Sequence, residues 1–533
     1  MENITSKTEL GHECSQRALQ LNTIKIIENA QLCLQDGDLI SARLSLRKIA
    51  AYSSSPTDVL LKFARDAQSA GRFEIAIFIF SEMIVLDLAK LAAFRQRGRV
   101  FLMQKLYKRA ISDFNSALDI EPNNFEVLTS RGIANCNQQK FNNAIEDFNH
   151  AIRVKPNSAH AYYNRALAYY KSDRTEHAIA DFSHAIDIDP KHYRALNNRA
   201  MAYRDLHKFD KAITDLARSV TVKPDFADGF WNKALTHLMI GDYKNAWLLY
   251  EYRWASAHFP SPRRNFAKPL WLGQHSLKGK NILLHSEQGL GDTIQFCRYI
   301  KKFENIKCNV FLEVEKPLLR IMQSLLPKER LFEKGSTLPC FDFHCPLMSL
   351  PLAFSTTIET VPFPSAYLKA NPERVIVWKQ KLGKKTRPRI GLAWQGNKAH
   401  PKDKTRSLSI KEIFTDLSSD FEWYSLQRDL TLDEERLITN SKTIIHFGKE
   451  IGDFAETAAF CSVLDAVICV DTAIGHLAGA LGLPVHLLLP HTPDARWQAQ
   501  GDRTPWYANT KLHRQGPEKC WRGTFQSALL HVR

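Results

Sequence analysis

Apolar and small residues recur in columns 34 residues apart over the first half of the chain. One column holds Ala110, Ala144, Ala178, Ala212 and Ala246, and a second holds Phe114, Phe148, Phe182, Leu216 and Tyr250. A third holds Gly98, Gly132, Ala166, Ala200 and Ala234, while Pro122, Pro156, Pro190 and Pro224 mark the exits. A period of this length predicts two helices joined by a turn, with small residues where the helices cross, aromatics between neighbouring units and proline at the exit. Five units are regular: 91–124, 125–158, 159–192, 193–226 and 227–260. The frame extends to 57–90 through Gly71, Phe73, Ala76 and Phe80, and more loosely to 24–56 through Gly37, Asp38, Ala42 and Leu46. The first unit is expected to be an atypical cap, because one of its faces meets water.

The columns resemble the tetratricopeptide (TPR) repeat, which implies an α-solenoid. After Trp254 the period ends in a basic, proline-broken stretch, 258–264, which leads into an expected linker at 261–278. Thereafter β-type runs alternate with helical ones. Expected strands cover Asn281–His285 and Asn309–Val314, then Ile390–Trp394, Trp423–Leu426, Thr443–Phe447, Ala466–Val470 and Val485–Leu489. A helix is expected over Thr293–Phe303 and another after Lys316. Strand–helix alternation predicts parallel sheets, here as two Rossmann-like lobes at 279–375 and 388–533.

Composition narrows the class. The longest apolar run, Ile75 to Phe80, is too short to cross a bilayer, and Glu74 and Glu82 flank it, so no transmembrane segment is expected. Residues 1–23 form a polar segment, and 1–20 lack the apolar centre of a signal peptide. Ten cysteines without a Cys-x-x-Cys pair exclude a zinc module or disulfide scaffold and agree with a cytoplasmic location. The net charge of +16 admits nucleic acid, an anionic membrane or an anionic small molecule. Nine Lys or Arg cluster in 381–406 against the single acid Asp403, without a nucleic-acid motif; a solvated basic face is the plain alternative, and no nucleic-acid partner is expected.

In parallel α/β folds ligands bind at the carboxyl ends of strands. Two such loops stand out. Gly289-Leu-Gly291-Asp292 follows the first strand; its glycines allow close backbone approach, and the next helix start favours an anion, although a tight turn needs similar glycines and Asp292 is also a favoured helix cap. Asp471-Thr472 ends a later strand, and Gly475-His476 opens a helix whose N–H groups suit a diphosphate; a structural hydrogen bond is the other reading of His476.

These motifs resemble the bacterial ADP-heptose:lipopolysaccharide heptosyltransferases (glycosyltransferase family 9), whose fold is GT-B. Asp292 falls on that family's Gly-Asp, and Asp471, Thr472 and His476 on its Asp-Thr-Gly-x-x-His run, with Ala473 replacing the usual Gly. Bacterial TPR–glycosyltransferase proteins carry similar Glu-Gln-Gly-Leu-Gly-Asp and Trp-x-Gly-Asn loops, met at Glu287–Asp292 and Trp394–Asn397. The architecture is also similar to O-GlcNAc transferase. The resemblance implies an inverting, metal-independent glycosyltransferase with a nucleotide-sugar donor as substrate and no cofactor. Asp292 would be the base. Gly289, Gly291, Trp394, Gly396, Asn397, Lys404, Arg406, Asp471, Thr472, Gly475 and His476 would surround the donor, its departing charge met by Lys404, Arg406, Thr472 and the helix start. A polar column (Gln96, Ser130, Asn164, Asn198, Asn232) falls on the first helix of each unit, which lines the groove of such a superhelix. Its amides can pair with an extended backbone, so Asn164, Asn198 and Asn232 are candidates for holding a protein or peptide partner; bonding between neighbouring repeats is the alternative. A TPR adaptor with an inactive transferase domain is the competing function.

Overall fold

The computed structural model describes residues 24–53, 55–399 and 403–532, so the expected polar segment 1–23 lies outside the described residues. The chain divides into two compact units, up to Leu206 and from His207.

The first unit is a run of helix pairs. A helix over 24–35 precedes Leu39–Tyr52, Pro56–Ser69, Phe73–Val85, Lys90–Met103, Tyr107–Ile120, Phe125–Asn137, Phe141–Val154, Ala159–Lys171, Thr175–Ile188 and Tyr193–Asp205. The small and aromatic columns meet within a unit rather than between units. A Cβ on Gly98 would lie 2.6 Å from the Phe114 ring, and one on Gly132 would lie 2.7 Å from Phe148. Each ring fills the space where its own two helices cross, which explains the fixed interval of sixteen residues. A buried ion-pair ladder has the same period. Arg97, Arg131 and Arg165 grip Asp113, Asp147 and Asp181 at 2.6–3.2 Å, and each donates its remaining amino group to the preceding unit, at Ser81, Asn115 and Asn149.

A third periodic feature is conformational. Gly37, Gly71, Lys105, Gln139, Asp173, His207 and Gly241 stand 34 residues apart, and all have φ between 56° and 81°. The turn between the two helices of a unit needs one left-handed residue, which costs a non-glycine roughly 1–2 kcal/mol. Seven turns of one geometry extend the repeat frame to its first unit, where the apolar columns are weakest.

The second unit opens with three helices of the same period, Phe209–Val222, Ala227–Met239 and Tyr243–Tyr250, which bring the repeat helices among the described residues to fourteen. Ten parallel strands follow in two sheets: β1 Asn281–His285, β2 Asn309–Val314, β3 Leu331–Glu333 and β4 Phe343–Pro346, then β5 Arg389–Ala393, β6 Glu422–Ser425, β7 Ile444–His446, β8 Ala466–Val470, β9 Val485–Leu489 and β10 Thr510–Arg514. The first sheet has the order β3-β2-β1-β4 and the second β10-β9-β8-β5-β6-β7. Within this unit the last repeat and the sheets share one core. Leu238, Tyr243, Trp247 and Tyr250 pack with Trp271, Leu284, Tyr299 and Trp506, and Trp247 Nε1 donates to the Thr356 carbonyl at 2.9 Å. The compact division therefore falls at 206/207 and not near residue 260.

The expected linker is likewise part of the fold. Phe266 packs on His285, His344 and Phe341, Arg264 pairs with Glu313, and Leu270 bridges to His344 beside β4. The expected helix Thr293–Phe303 is an α-helix Leu290–Phe296 that tightens to a 3-10 turn over Cys297–Asn305. No helix among the described residues is long and apolar enough to cross a membrane.

Buried histidines set an acid limit. His285 and His344 meet at 3.2 Å, and His486 and His513 at 3.1 Å. Burial holds His344 and His486 down to about 4 and His513 to about 3, and holds His285 and His476 well below their ordinary value. These groups bind fewer protons folded than unfolded, so stability is lost as pH falls from 6.5 toward those values, by up to ~1.4 kcal/mol per pH unit for each group. Glu287 and Asp471, pushed up by burial to about 7 and about 6, act in the opposite direction over the same window. Five groups against two give a net loss. The midpoint of thermal unfolding is expected to fall steadily between pH 6.5 and 4.5, and His486→Gln/His513→Gln to flatten the slope, as measured by calorimetry.

Candidate functional site

The loop after β1 is held from the repeat side of the unit. Arg253, just beyond the last repeat helix, is fully buried; it donates to Glu287 at 3.0 and 3.2 Å, to Glu251 at 2.6 Å and to Ser349 Oγ at 2.7 Å. Next in sequence, Gln288 takes a left-handed φ of 55°. That conformation is secured by its N–H on Ser261 Oγ (2.9 Å) and its amide on Tyr250 OH (3.0 Å). Strain held by its surroundings in this way is typical of functional loops. Gly289 starts the helix. Having no side chain, it supports only half of a capping box: its N–H donates to Asp292 Oδ2 at 2.8 Å.

The loop after β8 follows the usual course. Thr472 caps helix Ala473–Ala480, accepting from Ile474 N at 3.3 Å. His476 is buried; its Nδ1 lies 2.9 Å from Tyr507 OH and its ring stacks on Trp497 at 5.1 Å. Its Nε2 lies 3.4 Å from Arg496 Nη1 and 4.0 Å from Asp471 Oδ1. Burial, reinforced by the charge of Arg496, keeps the imidazole neutral. Arginine can only donate, so Nε2 is the acceptor and the proton resides on Nδ1, facing Tyr507. His476 is thus not arranged to donate to a diphosphate through Nε2. Asp471 is pushed up to about 6 by burial, opposed by Arg496.

The two loops meet. A Cβ on Gly291 would lie 2.8 Å from His476 Cδ2 and 3.4 Å from Ala473 Cα, so this glycine is required by helix-on-helix contact. Gly475 is a packing glycine as well, facing Cys469 and Leu487 at 3.1 Å. Only Gly289 keeps open space around its missing side chain, apart from Asp292. Across the contact, Arg496 Nη2 donates to Asp292 Oδ1 at 2.5 Å, Nη1 to Gln295 Oε1 at 3.0 Å and Nε to Asp494 Oδ1 at 2.9 Å. Arg406 joins from the β5 side: Nη1 donates to the Asp471 carbonyl at 3.1 Å, its guanidinium lies 2.5 Å from where a Gly396 Cβ would stand, and Asp403 lies 3.5 Å from Nε. Three buried donors at this contact make no hydrogen bond, Gln295 Nε2, Trp497 Nε1 and Arg406 Nε, the last meeting Asp403 through charge alone.

Asp292, Asp471, Thr472, His476, Gly291, Gly396 and Arg406 are therefore gathered at one place. Trp394 is not. Its indole is fully buried in the core of the second sheet and donates to Glu434 Oε1 at 2.7 Å. Lys404 is exposed, and Asn397 bonds locally to Ala399 N at 3.0 Å. In the repeats Asn164 Nδ2 donates to the His160 carbonyl at 2.8 Å, and Asn198 Nδ2 to Tyr163 OH of the neighbouring unit at 3.0 Å. Asn232 is half-buried on Ala227–Met239. Sequence reasoning missed Arg496, Gln295, Tyr507 and Arg253. Arg496 had one usable signal, its place in the loop after β9 at the same strand end as the others.

Models of the TPR repeat match residues 134–173, and models of the tetratricopeptide repeat match 61–125, 159–192 and 182–214, so the N-terminal solenoid is built from TPR repeats. The chain is similar to the protein FlbA of Caulobacter vibrioides, 26% identical over an alignment of 319 residues, which covers 55% of this chain and 52% of FlbA. It thus spans about half the length of that relative. Among solved structures, YrrB, a TPR protein with an unusual peptide-binding site, is 20% identical over 35% of this chain and 97% of its own, with a TM-score of 0.31. A tetratricopeptide repeat protein from Parabacteroides merdae is 19% identical over 43% of this chain and 91% of its own, with a TM-score of 0.34.

Proposed function

We propose that this protein is a GT-B-type glycosyltransferase that moves a sugar, with inversion, from a nucleotide-sugar donor to a polypeptide held by its TPR repeats. One observation carries the reading: two strand–helix turns from two parallel sheets converge on a cluster of Asp292, Gln295, Asp471, Arg406 and Arg496, in which Gln295 Nε2 and Arg406 Nε are buried and make no hydrogen bond. A buried donor without a partner costs about 1–3 kcal/mol, which an anionic ligand would recover. In the displacement, the acceptor hydroxyl attacks the anomeric carbon and Asp292 takes its proton. The bond to the diphosphate breaks, and the departing charge meets Arg406, Arg496 and the N–H groups at Ala473–His476. The nucleotide would lie along the carboxyl end of the second sheet.

A second reading, a polypeptide-binding scaffold whose α/β region transfers nothing, is favoured by one feature. Both oxygens of Asp292 already have donors, Gly289 N and Arg496. The readings separate in a transfer assay with radiolabelled nucleotide sugars, scored for label on protein and for released sugar. Label on protein, or hydrolysis above background that depends on Asp292, supports the transferase; neither, with a polypeptide retained by the repeats, supports the scaffold.

The repeats make a separate expectation. Replacing Asn164, Asn198 and Asn232 together by Ala removes three amides, each worth about 0.5–1.5 kcal/mol in a hydrogen bond. Transfer to protein should fall at least roughly tenfold while donor hydrolysis stays within about twofold. Equal losses in both activities would show that the amides serve the fold alone.

A further inference from the structure

We infer that Arg496 is a donor-operated catch: it holds Asp292 out of use in the resting site and swings to the donor diphosphate when that group arrives. This rests on the transferase reading and adds to it a residue that no motif marks.

The resting geometry is that of a blocked base. Asp292 Oδ2 is committed to Gly289 N at 2.8 Å and Oδ1 to Arg496 Nη2 at 2.5 Å. An acceptor hydroxyl would approach a carboxylate already engaged at both oxygens. Arg496 itself is shared, with Asp494 on Nε and Gln295 Oε1 on Nη1. Asp494 also anchors the loop itself, because its Oδ1 accepts the backbone N–H of Arg496 at 3.1 Å. A rotation about the outer side-chain bonds can therefore carry Nη1 and Nη2 away from Asp292 while the loop stays anchored.

Charge supplies the reason to move. Asp292, Asp403, Asp471 and Asp494 face two arginines, Arg496 and Arg406, around a neutral His476. A diphosphate brings further negative charge next to Asp471 and draws in the nearest guanidinium, whose planar fork suits phosphate oxygens. His476 Nε2 and Gln295 line that route. Gln295 is fully buried, its Oε1 accepts from Arg496, and its Nε2 has no partner, so the amide is already a donor waiting for an acceptor. Once Arg496 leaves, Asp292 Oδ1 is free to take the acceptor proton as the oxygen–carbon bond forms, and the electron pair of the breaking bond goes to the diphosphate that Arg496 now holds. Without donor the base stays occupied.

The catch makes an expectation of opposite sign for the two partners of one ion pair. Titration calorimetry with ADP, GDP and UDP on the full chain first identifies the nucleoside diphosphate that binds. Asp292→Asn frees the guanidinium in advance, and that ligand should bind about tenfold tighter, because the resting state no longer competes. Arg496→Met should weaken binding at least roughly thirtyfold, and Arg496→Lys, which keeps charge but not the fork, should fall between. Asp292→Asn that leaves affinity unchanged or weakens it overturns the catch, as does a liganded crystal structure in which Arg496 still pairs with Asp292. If Arg496→Met does not fold, Arg496→Lys and Asp292→Asn decide alone. Absence of binding by the unaltered protein for all three nucleotides overturns the transferase reading together with the catch.

Discussion

Asp292→Asn is expected to lower sugar transfer by roughly 10²–10⁴, the usual contribution of a positioned general base, with the fold intact. The amide retains an oxygen for the Gly289 N–H, so the first turn of Leu290–Phe296 keeps its cap. Arg496 keeps two acceptors, Gln295 and Asp494. Asp292→Ala serves as the contrast, since it removes the cap as well and should cost about 1 kcal/mol of stability beyond the lost ion pair. Steady-state transfer rates alongside unfolding curves distinguish the roles. Near-normal turnover in a folded Asp292→Asn protein would leave Asp292 as a helix cap and nothing more.

The largest stability effect is expected at Arg253. Arg253→Met leaves Glu287 and Glu251 without their cation in the interior, and removing one partner of a buried pair typically costs about 3–5 kcal/mol. Burial already raises Glu287 to about 7, with Arg253 pulling the other way, so loss of the guanidinium moves the carboxyl further toward its protonated form. Arg253→Met/Glu287→Gln should recover part of the loss, because the more deeply buried of the two uncompensated carboxylates is then gone. Denaturant unfolding reads both variants. A single variant within about 1 kcal/mol of the unaltered protein would mean that Glu287 is solvated through another route. Because Gln288 and Gly289 follow Glu287 directly, the folded Arg253→Met protein should also show a looser Gly289–Asp292 turn, seen as faster amide exchange.

The repeats were legible because their determinants are local. Gly98 against Phe114 and Gly132 against Phe148 lie sixteen residues apart within one helix pair, so a period in sequence is a period in space. The left-handed column was hidden, since Lys105, Gln139, Asp173 and His207 tolerate a conformation that glycine would announce. Central strands were legible as apolar runs. The short or polar strands β3, β4 and β10 were not: β3 has three residues, β4 ends on Pro346, and β10 carries Lys511, His513 and Arg514. The site was half legible. Asp292, Asp471 and His476 belong to motifs on strand-ending turns, whereas Arg496 is brought to Asp292 by a contact spanning 204 residues. Trp394 shows the converse limit. A motif marks a strand end but not the side to which its indole points, and here that side is the core. The sharing of one core between the last repeat and the sheets had a trace in sequence, the aromatic excess of Tyr243, Trp247 and Tyr250.

The central claim is that a nucleotide sugar binds where the Gly289–Asp292 and Asp471–His476 turns meet. The most direct measurement is thermal unfolding of the full chain across a panel of nucleotide sugars, repeated on Arg406→Ala. One donor should stabilise the protein by ~2.7 kcal/mol at about 100 times its dissociation constant, and Arg406→Ala should lose most of that gain at the same concentration. Stabilisation by no nucleotide sugar, or an equal gain in Arg406→Ala, would contradict it.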